Sequence, residues 1–136
     1  MKDPFLMRKI VFIAIAVSFS ACLQVFSDAF IYWQSDLLHQ FWRLWTAHWV
    51  HVGWIHYVLN MLAFAFLPFI FPRVKVWHFV ALRLLLPPLI SLSFYYGFPE
   101  IEAYAGLSGV LHGAYVAVAS VHLLDKKERN FAALVL

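Results

Sequence analysis

With 136 residues, 64% of them hydrophobic and 12% charged, and with a mean hydropathy of +0.79, the chain is far too apolar for a water-soluble domain of its length and reads as an integral membrane protein. Its net charge of +3 sits in small basic groups beside apolar runs, a pattern that orients helices in a bilayer and does not grip nucleic acid. No nucleic-acid partner is expected.

The chain opens with Lys2, Arg8 and Lys9, after which residues 10–26 form 17 residues without a charge, at the short end for a spanning helix. Phe19-Ser20-Ala21-Cys22 loosely resembles a lipoprotein cleavage box, but a first transmembrane helix accounts for the same residues without cleavage. The lone Cys22 excludes an intrachain disulfide and a multi-cysteine metal site. Residues 27–55 are too polar to span and hold five of the six tryptophans, so they are expected at the membrane surface as an aromatic interfacial loop. Trp42, Trp45 and Trp49 recur at helical spacing, which predicts either a short helix with one aromatic face in the headgroups or a partly buried interfacial hairpin.

Residues 56–71 form the second predicted span, ended by Pro72 and the basic Arg73 and Lys75. Residues 77–96 form the third, with Pro87-Pro88 predicted to kink it and Arg83 to snorkel toward the basic end. A polar turn carrying Glu100 and Glu102 leads to the fourth, residues 105–124, closed by the charged residues 125–129. Residues 130–136 open another apolar run. The expected fold class is therefore all-α: one polytopic membrane helix bundle over residues 1–136, with four transmembrane helices plus the start of a fifth. With a cytoplasmic N-terminus, Lys2, Arg8, Lys9, Arg73, Lys75, Lys126, Lys127 and Arg129 all fall inside and Arg43 alone outside.

Two polar stretches then share a depth. Gly106-Leu107-Ser108-Gly109 puts a serine among small neighbours at the outer end of the fourth span, where an oxyanion site and a base would make it an acyl-transfer nucleophile. The same segment has a second reading, since Gly109 and Gly113 form a GxxxG pair suited to close helix packing. Upstream, His56 and Asn60 lie one turn apart on one face of the second span. His56 precedes Arg73 by 17 residues and Ser108 precedes Asp125 by 17, so at roughly 1.5 Å per residue both stand about 25 Å from the cytoplasmic face. In a hydrocarbon core of about 30 Å, both lie just below the outer surface, with His56 and Asn60 as candidate oxyanion donors.

Trp42-Arg43-x-x-Thr46, then His51, then His56-x-x-x-Asn60-Met61, followed two spans later by Gly106-x-Ser108-Gly109, resembles the rhomboid intramembrane serine proteases over residues 10–125. The compact chain and the run from Gly106 to Gly113 further resemble the rhombosortase branch. The resemblance implies that Ser108 is the nucleophile, that His56 and Asn60 help form the oxyanion hole, and that Arg43 and His51 are structural polar residues of the first loop. It implies a membrane-anchored protein substrate, in the rhombosortase branch one with a C-terminal sorting tail, cleaved near the outer face. It also implies a bacterial inner-membrane location with the site toward the periplasm, and no cofactor.

The base of a rhomboid dyad resembles Ala-His-x-x-x-Gly on a sixth span, and no residue here matches it, so the sequence is expected to be C-terminally truncated. His112, one turn beyond Ser108, is the one imidazole on the same helix within reach, but a base there is hard to aim at both serine and leaving group. His48, His51 and His56 follow no single helix face and have no carboxylates nearby, so no metal site is expected. Two rivals stand beside the protease: a catalytically inactive rhomboid-like protein that binds membrane clients, and a small polytopic transporter or histidine-ligated redox protein.

Overall fold

In the computed structural model, which describes residues 5–135, the first helix α1 (Leu6–Gln24) is inside out relative to a helix of a soluble protein. Its buried positions are Lys9, Ala16, Ser20 and Gln24, while Leu6, Met7, Ile10, Val11, Ile15 and Phe19 are exposed. Apolar side chains outside and polar ones inside is the arrangement a lipid solvent selects. Lys2 and Leu136 lie outside the described residues. The helix starts earlier than the charge-free run, taking in Arg8 and Lys9, because Lys9 is not at a surface: its Nζ donates to the Pro72 carbonyl at 3.2 Å.

Residues 27–46 contain the short helix expected at the tryptophan spacing only as a single turn, and no hairpin. They break into two short 3-10 turns, a two-residue strand β1 (Tyr32–Trp33) and the one-turn helix α2 (Arg43–Thr46). β1 pairs antiparallel with β2 (Ala103–Tyr104), Tyr32 opposite Tyr104 and Trp33 opposite Ala103, so the otherwise all-helical architecture contains one small ladder. Beyond Thr46 the backbone tightens to i→i−3 bonds, His48 N to Trp45 O at 3.2 Å and Trp49 N to Thr46 O at 2.9 Å. The Ala47 carbonyl is taken from outside by the Gly106 N–H at 3.0 Å. Trp42 and Trp45 are therefore exposed while Trp49 turns inward, its ring edge-on to Phe19 at 5.0 Å.

Gly53, with φ of +84°, caps α3 (Trp54–Ile70), and α4 (Val76–Gly97) follows as the longest element. α1 and α4 are long and apolar enough to cross a membrane; α3 is apolar but has 17 residues, about 25 Å. α4 continues through Pro87 and Pro88 as one helix. Pro88 cannot donate to the Leu84 carbonyl, and the Trp45 indole N–H does so instead, at 2.9 Å. Arg83 does not snorkel: it is 5% exposed, donates from Nη2 to the His48 carbonyl at 2.9 Å and stacks on Trp49 with 3.6 Å between guanidinium carbon and ring centre. Charge removed from lipid and laid on an indole face is the reason it turns inward.

The fourth apolar run becomes helical only at Ser108: α5 (Ser108–His122) has 15 residues, because residues 103–107 are spent on β2 and on a turn through Gly106. α5 packs on α4 through its small residues. A Cβ at Gly109 would stand 3.5 Å from Ile90 and one at Gly113 would stand 3.1 Å from Leu86, so the GxxxG pair does serve helix contact. α6 (Arg129–Val135) ends the described chain, joined to the turn after α3 by an ion pair between Arg73 and Glu128. Tyr57, Met61 and Phe64 of α3 meet Val110, Leu111 and Ala114 of α5 in the core between the helices.

Candidate active site

Asn60 and Ser108 line one groove. It has a volume of about 320 Å³ and runs between α3 and α5, with Leu59, Ala63, Leu111, His112 and Tyr115 completing its wall. Clefts of about 420 Å³ between α4 and α5 and about 750 Å³ between α1 and α4 lie at the opposite end of the helices. Neither contains a serine, and chemistry rather than size therefore marks the smaller groove. Asn60 is buried and donates from Nδ2 to the His56 carbonyl at 3.0 Å; one proton of that amide remains for another acceptor. Ser108 is half-buried and starts its helix. In that first turn the Leu107 N–H is taken by His51 Nε2 at 3.2 Å and the Gly109 N–H by the Tyr104 hydroxyl at 3.4 Å, whereas no acceptor among the described residues meets the N–H of Ser108.

His56 reaches the same place from the other side. Gly106 has φ of +144°, and a Cβ there would stand 3.1 Å from His56 Cε1, so the turn into Ser108 closes against the imidazole only because position 106 is glycine. The His56 ring is edge-on to His51 at 5.1 Å. His112, the candidate substitute base, lines the groove, but its Nδ1 donates to the Ser108 main-chain carbonyl at 2.8 Å rather than bonding the hydroxyl.

A loop over residues 47–51 holds this arrangement, and α1 holds the loop. The Gln24 carboxamide meets both main-chain groups of His51, accepting from its N–H at 2.7 Å and donating to its carbonyl at 2.9 Å, while Ser20 donates to the Trp49 carbonyl. Ser91 gives its proton to the Leu44 carbonyl at 3.1 Å, so at the 3.0 Å contact with His48 Nε2 the imidazole is the donor. Burial, then the nearby Arg83 charge, lowers the His48 pKa to about 3; burial, then His56 and Arg83, lowers that of His51 to about 4. Both rings are neutral, as the Leu107 N–H bond to His51 requires. Arg43, buried, donates from Nε to Gln40 at 2.7 Å and from Nη1 to the carbonyls of Asp28 and Ile31, tying the front of this loop together.

The family model described as Rhomboid domain matches residues 38–135, nearly three quarters of the chain and all of the groove. The chain belongs to the rhomboid family. No curated protein and no solved structure is found to match it. Rhomboid proteins are intramembrane serine proteases acting on membrane-protein substrates, and the inside-out polarity of α1 and α4 agrees with an integral membrane protein.

Of the residues singled out in the sequence, this rhomboid chain brings Asn60, Ser108 and His112 onto one groove and sets His56 and His51 against the turn that precedes Ser108. Arg43 lies apart, in the first loop. Gln24, Ser20, Ser91, Arg83 and Tyr104 were not foreseen as supports. Each is a polar residue in or beside an apolar run, and that is the one feature that could have drawn notice.

Proposed function

We propose that this rhomboid chain is built to cleave transmembrane or membrane-proximal segments of membrane-anchored proteins, with Ser108 as nucleophile and His56 and Asn60 as oxyanion donors. The observation that carries the reading is the shared groove of Asn60 and Ser108, with His56 against Gly106 beside it. Ser108 Oγ attacks the scissile carbonyl carbon and its proton passes to a base. The oxygen that gains charge is met by Asn60 Nδ2–H, His56 and the unpaired N–H of Ser108. Collapse expels the amine with a proton, and water then hydrolyses the acyl-enzyme. None of the described histidines is drawn on as that base; the resemblance puts it in an Ala-His-x-x-x-Gly segment.

In this reading α1, α3, α4 and α5 are the spans, the N-terminus is cytoplasmic in a bacterial inner membrane, and Ser108 faces the periplasmic side. Support comes from Lys9, Arg73 and Lys75, which share the end of the helices opposite Ser108. The Gly106 to Gly113 run favours the rhombosortase branch and a substrate with a C-terminal sorting tail. Labelling of the full-length protein in the membrane by a serine-directed phosphonate is the test. It is expected for wild type, lost in Ser108→Ala and kept in His112→Ala; labelling that survives Ser108→Ala overturns the assignment.

One observation favours a second reading. With the His112 proton directed to a main-chain carbonyl, no imidazole among the described residues is bonded to the Ser108 hydroxyl, as in an inactive rhomboid-like protein that binds clients through the same groove. Client binding without cleavage, unchanged by Ser108→Ala, identifies that case.

A further inference from the structure

At the end of the helices away from Ser108, α1 and α4 part to leave the groove of about 750 Å³. Its floor is apolar, with Val11 and Ile15 from α1 and Val80 from α4, and its rim carries Arg8 and Lys75, with Trp77 beside them. The neighbouring Lys9 is committed inward to the Pro72 carbonyl and lies over the Phe69 ring, and Arg73 is paired with Glu128. Arg8 and Lys75 are different. Both are exposed, and among the described residues neither side chain has a hydrogen bond or ion pair and none that lines the groove is a carboxylate. Both helices that form the groove are long and apolar enough to cross a membrane, so its rim falls at headgroup level, where an exposed tryptophan also belongs.

We propose that this groove binds one anionic phospholipid, its phosphate between Arg8 and Lys75 and an acyl chain along Val11, Ile15 and Val80. A zwitterionic lipid fits the apolar floor equally well but carries a compensating cation that two free positive groups repel, so the charge pair sets the selectivity. A second copy of the chain would bring its own Arg8 and Lys75 to the same rim and is disfavoured for that reason.

Native mass spectrometry of the detergent-purified chain, mixed with equal amounts of phosphatidylglycerol and phosphatidylcholine of identical acyl chains, tests the site. One phosphatidylglycerol is expected to be retained, preferred by about tenfold or more. The Arg8→Gln/Lys75→Gln double variant should bind both lipids equally. The charge-keeping Arg8→Lys/Lys75→Arg pair should keep the preference, as should Arg73→Gln, and Ile15→Trp, which fills the floor, should weaken retention of both lipids. Equal retention by the wild-type chain overturns the proposal, and so does a preference that survives removal of both charges. A dimer in place of a lipid adduct, dissolved by Ile15→Trp, also overturns it.

Discussion

The main-chain N–H of Leu107 donates to Nε2 of His51 across 3.2 Å, which fastens the residue before Ser108 to the loop that leads into α3. A buried imidazole that accepts from a backbone amide is both a packing element and a hydrogen-bond partner. His51→Ala is expected to lower stability by about 2 to 4 kcal/mol, the sum of a cavity and an orphaned N–H. Thermal unfolding in detergent measures it, and an unchanged midpoint contradicts the role.

Burial of two neutral imidazoles makes stability depend on pH. His48 and His51 have pKa values lowered to about 3 and about 4 by burial, against 6.5 when unfolded, so between those values the unfolded chain binds more protons than the folded one. Their contribution is complete above pH 6.5 and is lost as pH falls toward 4 for His51 and 3 for His48, at roughly 1.4 kcal/mol per pH unit for each ring. Unfolding midpoints recorded from pH 7.5 down to 4.5 should hold level to about pH 6.5 and then fall. A flat profile refutes the buried neutral pair.

Gly106 offers a sharper test of the turn into Ser108. Gly106→Ala puts a Cβ 3.1 Å from His56 Cε1 at φ of +144°, and is expected to cost roughly 1 to 3 kcal/mol and to abolish phosphonate labelling of Ser108. At Gly97 the space around a Cβ is empty, so Gly97→Ala should leave both properties unchanged.

Trp45 and Pro88 should be coupled. Trp45→Phe strips the Leu84 carbonyl of its donor and should cost about 1 kcal/mol, but little in a Pro88→Ala background, where position 88 regains the N–H that normally serves that carbonyl. A double-mutant cycle of unfolding free energies reads the coupling directly. Additive effects would show that the indole bond carries no weight.

The helices were legible because long apolar runs with at most one charge leave a bilayer-spanning chain few alternatives, and α3 and α4 begin and end within two residues of the runs that announced them. The residue counting that set His56 and Ser108 at one level drew on the same regularity. What escaped was whatever depends on a partner distant in sequence. Nothing in Tyr32-Trp33 or Ala103-Tyr104 advertises a ladder only two residues long. Arg83 had the composition of a snorkelling cation, and its inward turn depends on Trp49 and the His48 carbonyl, which periodicity does not bring near it. The start of α5 was misjudged by three residues because an apolar Ala105-Gly106-Leu107 looks helical until Gly106 takes a positive φ.

The contact between Gln24 and His51 has a consequence for how the first helix is coupled to the rest. A carboxamide that offers one acceptor and one donor to a single residue imitates the edge of a neighbouring peptide, so α1 grips the loop as a β-strand would while remaining a helix. No other side chain of that length except glutamine presents both polarities at once. Gln24→Glu would set a carboxylate against the His51 carbonyl and reverse half of the interaction, although its shape is nearly the same. Position 24 is thus a docking key whose teeth are electronic, and a sequence swap that looks conservative by size would unlock the first helix from the loop.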